Sequence, residues 1–535
     1  MTILNNIVPV GKEIHGRNVC IISDPKSNMV YASVMLRGGF YTEQRRSDLG
    51  ITHLIEHILF ESWKKCYNKD AKPKLKSKSK SKSKRFRSRS RSRSLNHLNI
   101  KTLAEISMKK TKAKRTTSQK NSCLQFWNNR PVKYNGSTSY QNVTAYIYGL
   151  ASESDDLVDY ITQMICTCPD HLNLNMLDHV KKTVLNELTA LQTNVMNKLE
   201  MGLISKYIEP KTNLQSGALR IGDESIQIEN LKKITPEHIR DYYYRFFIPE
   251  NAVFLYAGHV TESQVRKIIG RHLSYSSKAK SYTVPHVGLT FDPRKIFSNE
   301  FTSTQNCLKP HSGSSNKHKN KNNITMNKNY KVFKNPAVKD NALFMIILPD
   351  FNFDFGSDDL HSIQKSAFSS CRKTQLFYSV ISAELHELLR MNHNLVYGVS
   401  ATYTNFTGVK MVQISGTCHP ADVKTVIGMC LAYIRQRQNS IVPDSMISSV
   451  KNRIKMDTYT TSFSLIDIAG FFENVIQTVM IENSSSSIND IVVKNSKFIS
   501  YSESVNQLDE ISATDILNRF KSICLSNAVT GYSIK

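Results

Sequence analysis

The sequence has no run of apolar residues approaching the roughly 20 needed to cross a bilayer, so no membrane association is expected. Its start, MTILNNIVPVGKEIHG, lacks the charged head and apolar centre of a secretory leader and the Arg-rich amphipath of an organellar presequence. The ten cysteines are scattered, with only Cys166 and Cys168 close together, which argues against a disulfide framework and fits reduced thiols. A cytoplasmic location is the expectation from these absences. At 535 residues and 40% apolar content, the chain is expected to form two or more domains.

Acidic residues are also scarce: 44 Asp and Glu stand against 71 Lys and Arg, a net charge of +27. Spread over a surface, that charge would suggest a nucleic-acid partner. It is not spread. Between Lys64 and Lys120 there are 22 Lys or Arg against Asp70 and Glu105, and between Lys309 and Asn335 there are 7 Lys and no acid. These two stretches hold the whole excess, and the rest of the chain is about neutral. The first contains KSKSKSKSKRFRSRSRSRS (residues 76–94), a self-repelling low-complexity run expected to be disordered. It resembles the Arg-Ser segments of RNA-associated proteins, although a solvated insertion is the plainer reading. Any nucleic-acid contact is expected only through residues 76–94.

Residues 49–63, LGITHLIEHILFESW, carry the chemistry. Residues four apart share a helical face, so His53 and His57 can aim two imidazoles at one ion, and Glu56 reaches the same side. Leu54, Ile55, Ile58, Leu59 and Phe60 make the rest apolar, so such a helix should be buried over most of its surface. Two imidazoles and a carboxylate there are costly unless something satisfies them. A divalent metal would do so, and nitrogen ligands favour zinc. In a chain with 16 His, an H-x-x-E-H pattern arises by chance on the order of once in fifty, so alone it is suggestive only.

Residues 19–23 and 30–37 read as strands, followed by a Gly38-Gly39 turn, Glu43 and the His-bearing helix. Order returns at residues 134–139, with a strand through Thr144, Tyr146 and Ile147, a helix at 155–166 and a longer helix at about 175–198. On the last, Val180, Val184, Leu188, Leu191 and Val195 fall at helical spacing and should form a buried stripe. Glu187 sits against that stripe, either as a rim residue reaching solvent or as a third metal ligand. Residues 232–273 give a helix, a Pro-led turn, a strand at 252–257 and a helix capped by Thr261. A polar linker at 306–335 follows. The second half coarsely repeats the first. It has a strand at 342–348, a helix at 374–391, a strand pair at 396–402 and 409–416, helices at 420–435 and about 443–477, and a closing helix and strand. Similar modules in tandem are the economical interpretation. The second half has no H-x-x-E-H; its neighbouring His386-Glu387 lacks the spacing.

These residues resemble the M16 family of zinc peptidases, inverted zincins that include pitrilysin, insulin-degrading enzyme and the mitochondrial processing peptidases. GITHLIEHILFESW is similar to the family's Gly-hydrophobic-His-x-x-Glu-His-hydrophobic-Phe segment. VLNELTAL resembles the segment of the third ligand, which places that role on Glu187. Residues 232–273 are similar to the end of a family module. LLRMNHNLVYGVSATYT (388–404) looks like the segment in which an Arg and a Tyr, seven apart, hold substrate, implying Arg390 and Tyr397. NGSTSYQNVTAY resembles the family's Asn-Ala-x-Thr-Ser edge strand and implicates Asn135 in substrate binding, with Gly136 in place of the Ala. His57 and Glu187 are 130 positions apart, more than in the family, and the excess is about the length of the basic insertion. Where many relatives carry a second acid before the third ligand, this chain has Val180, with Asp178 nearby.

The resemblance implies an α+β fold of two tandem modules, each a mixed sheet packed with helices, forming half of a clamshell. The catalytic module would span 1–275, including the insertion at 64–130; a linker would span 276–335; and a second module without a metal site would span 336–535. One Zn2+ per chain would be held by His53, His57 and Glu187 with a position open for water, and Glu56 would act as general base in hydrolysing peptides or short unfolded segments. Arg390 and Tyr397 would grip the peptide backbone or the oxyanion. Without the resemblance, Arg390 reads as a charge at a helix C-terminus and Tyr397 as an ordinary buried Tyr. In such relatives the Arg/Tyr pair serves a zinc site across the clamshell interface, so a homodimer is expected. Two other functions compete: a catalytically inactive structural subunit, and a nucleic-acid-associated protein acting through residues 76–94.

Overall fold

The computed structural model describes residues 8–61, 130–166, 177–208, 224–272, 330–334, 341–350 and 360–534, except 44, 140–141, 407–408, 462–463, 483–486, 495–497, 524 and 526–527. The basic run at 76–94, and all of the expected linker except Tyr330–Lys334, lie outside the described residues.

The fold is α+β, two mixed sheets with helices packed on them. The first half runs β1 (Val10–Ile14), β2 (Arg17–Ser23), β3 (Met29–Arg37), α1 (Ile51–Glu61), β4 (Val132–Thr138), β5 (Asn142–Leu150), α2 (Ser154–Cys166), α3 (Leu177–Thr193), α4 (Val195–Ile208), α5 (Glu224–Lys233), α6 (Pro236–Phe246), β6 (Ala252–Gly258) and α7 (Glu262–Arg271). Its strands are ordered β1-β2-β6-β3-β5-β4, with β2 and β6 parallel and the other pairs antiparallel. β3 shows only partial alternation in sequence because both its faces are covered. Val30, Ala32, Val34 and Leu36 join the core shared with α1 and α2, while Tyr31 and Met35 join the core of the second half.

The second half runs β7 (Tyr330–Lys334), β8 (Ala342–Pro349), α8 (Leu360–Leu385) with a π-helical continuation at His386–Asn392, β9 (Val396–Phe406), β10 (Val409–Cys418), α9 (Val423–Arg437), α10 (Asp444–Thr461), α11 (Leu465–Glu482), α12 (Tyr501–Glu510), α13 (Ala513–Ser522) and β11 (Val529–Ile534). The order β7-β11-β8-β10-β9, with β7 and β11 parallel, repeats the last five positions of the first sheet in order and direction. β7 lies inside the stretch expected to be linker, so the second sheet begins before residue 336. Tyr330, Val332 and Phe333 are β-formers, but five residues at the end of a polar stretch give only a weak local signal, and the strand is completed by its partner β11.

Two helices expected to be continuous are broken. The expected helix at 175–198 is α3 and α4, separated at Asn194, whose side chain accepts the Asn197 backbone N–H at 3.0 Å. The expected helix at 443–477 is α10 and α11, and Ser464 likewise accepts the Asp467 N–H at 3.2 Å. Each break is where the chain crosses to the other sheet. α4 packs on β8 and β11, and α11 packs on β3 and β6, the same positions in the opposite sheet. Across the second contact Tyr31 donates to Glu473 at 2.8 Å, and Gln477 donates to Thr144 at 3.0 Å. The stripe expected on α3 is correspondingly shorter. Val180, Val184 and Leu188 are buried, but Leu191 is 40% exposed and Val195 only half-buried, on the turns that leave the first core.

Candidate metal centre

α1 is fixed at both ends before its side chains are considered. Glu43 is fully buried, and its two oxygens accept the N–H groups of Gly50 and Thr52 at 2.9 Å each, satisfying orphan donors at the helix start. Burial pushes the Glu43 carboxyl up to about 8, against the opposing pull of those two amides. Gly50 enters the helix at φ 92°, a conformation that favours glycine. At the far end, Tyr160 donates to the Phe60 carbonyl at 2.7 Å. Ile51, Leu54, Ile55, Ile58 and Leu59 have no exposed surface, which sets the rotation of the helix.

That rotation aims His53 and His57 at α3. Glu187 Oε2 lies 3.4 Å from His53 Nε2 and 3.2 Å from His57 Nε2, and the two Nε2 atoms are 3.3 Å apart. Ligands held tetrahedrally by zinc at about 2.0–2.1 Å are roughly 3.3–3.4 Å from one another. The three atoms are therefore spaced as three corners of such a tetrahedron, and the donor set of two imidazoles and a carboxylate fits zinc. Among the described residues, these three form the group of His, Cys, Asp and Glu that could hold a metal ion. Hydrogen bonds from His53 and His57 hold the Glu187 carboxyl down at about 2. Val180 lies in the core and Asp178 is exposed, so the second acid seen in many relatives has no counterpart at Val180.

Glu56 is buried at the same helical turn and accepts a hydrogen bond from Thr138 Oγ1 at 2.5 Å. Alternation along β4 turns Tyr134, Gly136 and Thr138 toward α1, where the Tyr134 ring lies 5.5 Å from that of Phe60. Asn135 is exposed on the opposite face and accepts the Gly136 N–H at 2.9 Å. Arg390 and Tyr397 belong to the other sheet. Arg390, in the π-helical segment, donates to Asn394 Oδ1 at 3.2 Å and to the Val396 carbonyl at 3.0 Å, closing the turn into β9. Tyr397 is 65% exposed, which overturns the reading of an ordinary buried tyrosine.

The structure thus unites His53, His57 and Glu187, places Glu56 beside β4, and leaves Asn135, Arg390 and Tyr397 on other surfaces. Sequence reasoning missed the parts played by Thr138 and Glu43. Thr138 was legible in principle, because it lies two residues from Gly136 on the strand next to the helix. No local spacing links Glu43 to a helix that starts eight positions later.

Residues 233–454 match the family model described as the peptidase M16 inactive domain. That range contains Arg390 and Tyr397 but none of His53, Glu56, His57 and Glu187. None of the curated proteins matches the chain. Among solved structures the chain is similar to a protease from Helicobacter pylori (11% identity, TM-score 0.59, covering 99% of this chain and 100% of that one). It is also similar to a peptidase M16 inactive domain from Pseudomonas fluorescens (10% identity, TM-score 0.61, covering 98% and 97%). A third likeness is to a chain of Complex III2 from Candida albicans (9% identity, TM-score 0.57, covering 98% and 95%). At these identities the likenesses show the fold. The family match supports a relation to the peptidase M16 family over residues 233–454. No helix among the described residues is long and apolar enough to cross a membrane.

Proposed function

We propose that the chain is an M16-type zinc endopeptidase acting on peptides or short unfolded segments. The observation that carries this reading is the triangle of His53 Nε2, His57 Nε2 and Glu187 Oε2, spaced as zinc ligands with a fourth direction left over. These three residues would hold the ion. Zinc, when bound, supplies Lewis-acid polarisation of the scissile carbonyl and acidifies water. Glu56, on the same turn of α1, takes the proton of the attacking water and passes it to the departing amine. Arg390 and Tyr397 act as fixed donors to the peptide backbone or the oxyanion. They sit at the edge of the second sheet while the trio sits at the edge of the first, so we read the complete site as shared by two copies of the chain. The repeated strand order supports two tandem modules, the second beginning at β7.

A second reading, a structural subunit without catalysis, is favoured by the inactive-domain match and by the likeness to a Complex III2 chain. The matched range does not reach the trio, so the word inactive describes a region in which no group of candidate metal ligands lies among the described residues. The deciding assay offers a mixed peptide library to wild type and Glu56→Gln and measures zinc in both. Cleavage lost with zinc retained is the expected result; zinc-loaded wild type as inert as the variant supports the subunit. Sedimentation tests the shared site, because a micromolar monomer that cleaves peptides contradicts it.

A further inference from the structure

We infer that strand β4 seats the general base: Thr138 holds the Glu56 carboxylate by one oxygen, over the space that Gly136 leaves open. The inference rests on the endopeptidase reading and adds two residues to it. Among the described residues, Thr138 is the one hydrogen-bond donor to Glu56, reaching Oε2 at 2.5 Å. That separation is at the short end for an O–H···O hydrogen bond. A threonine hydroxyl has one proton, so it serves one carboxylate oxygen at a time. Thr138 is itself held by the ladder, opposite Val143 of β5, and its hydroxyl is as well placed as the sheet edge.

Gly136 governs the other oxygen. A Cβ at this position would lie 2.7 Å from Glu56 Oε1, 3.0 Å from Glu56 Cγ and 2.9 Å from the Phe60 ring. Those separations are closer than non-bonded atoms tolerate, and the Phe60 ring is packed in the core. The Glu56 carboxylate therefore lies across a space that exists because residue 136 has no side chain. The family segment that this strand resembles has Ala there, and this chain has Gly together with a carboxylate in the Cβ position. One oxygen is committed to Thr138 and the other lies over glycine.

Thr138 acts through Glu56, so it is a positioning residue, and Glu56 remains the catalytic one.

The test uses full-length zinc-loaded protein as wild type, Thr138→Val, Thr138→Ser and Gly136→Ala, with crystal structures, zinc content and steady-state kinetics. The valine is nearly isosteric and lacks the donor. It is expected to let the Glu56 carboxylate turn from its place and to lower kcat about 10- to 100-fold with KM and zinc unchanged. Serine should restore kcat to within a few-fold, and Gly136→Ala should displace the Glu56 carboxylate in the crystal structure. An unmoved Glu56 in Thr138→Val, a wild-type kcat, or a loss that serine does not rescue would overturn the inference. If wild type itself fails to cleave, the endopeptidase reading falls, and the crystal structures alone decide the seating.

Discussion

The edges of the two sheets occupy the same topological place and are furnished in opposite ways. β4 is approached through α1, a short helix whose His53, Glu56 and His57 are wholly or largely buried. β9 is approached through the long α8 and a π-helical turn whose His386 and Glu387 are exposed. Exposed polar groups are satisfied by water, but buried ones need partners. The first edge supplies them from elsewhere in the chain: Glu187 from α3, Thr138 from β4 and Glu43 at the helix start. The second supplies Arg390, which bonds to its own turn, and an outward-facing Tyr397. On the proposed reading, one scaffold carries a metal-binding edge and a substrate-facing edge, and the difference lies in whether another element crosses to complete it.

The strongest way to break this comparison is to remove a ligand. His57→Ala or Glu187→Ala should lose zinc and at least about 10³-fold in cleavage, whereas His386→Ala should change neither, as metal analysis and kinetics would show. Next come the residues of the second edge. Arg390→Ala and Tyr397→Phe should lower kcat/KM by about 10²-fold with zinc retained. Tyr397→Phe should leave the melting temperature unaltered because the side chain is exposed, while Arg390→Ala should cost about 1 kcal/mol through its lost turn hydrogen bonds.

Smaller effects sharpen how α1 is held. The Glu43 carboxyl titrates at about 8 in the fold against an ordinary 4.5, so the native state binds its proton more tightly than the unfolded chain. Its contribution is full below about 4.5 and is lost as pH rises through about 8. Glu43→Gln should flatten that slope in urea denaturation across the interval. Smallest of all, Leu191→Ala should change stability by no more than about 0.5 kcal/mol, where a buried position would cost about 2–5 kcal/mol.

Local pattern made much of this legible. The apolar spacing around H-x-x-E-H placed α1, the β-branched runs placed β2, β3, β6 and β8, and helical spacing put Glu187 next to a buried stripe. What local pattern could not show was where a helix changes partners. α3 and α4, and α10 and α11, are each continuous in periodicity, and neither break carries Pro or Gly. The signals present were N-cap residues, Asn194 and Ser464, which are ambiguous inside an apolar run. Leu191 was misplaced for the same reason, because its environment depends on α4 departing for the second sheet. Only the resemblance placed the ligand role on Glu187, since 130 positions separate it from His57 and no local spacing joins them.

The metal site is tested most directly by a zinc titration of metal-free protein, followed by equilibrium competition and mass measurement, for wild type and Glu187→Gln. One tightly bound zinc per wild-type chain is expected, with a large loss of affinity in the variant. Wild type that binds no zinc, or a variant that binds it as tightly, would contradict the claim that α1 and α3 together form a metal site.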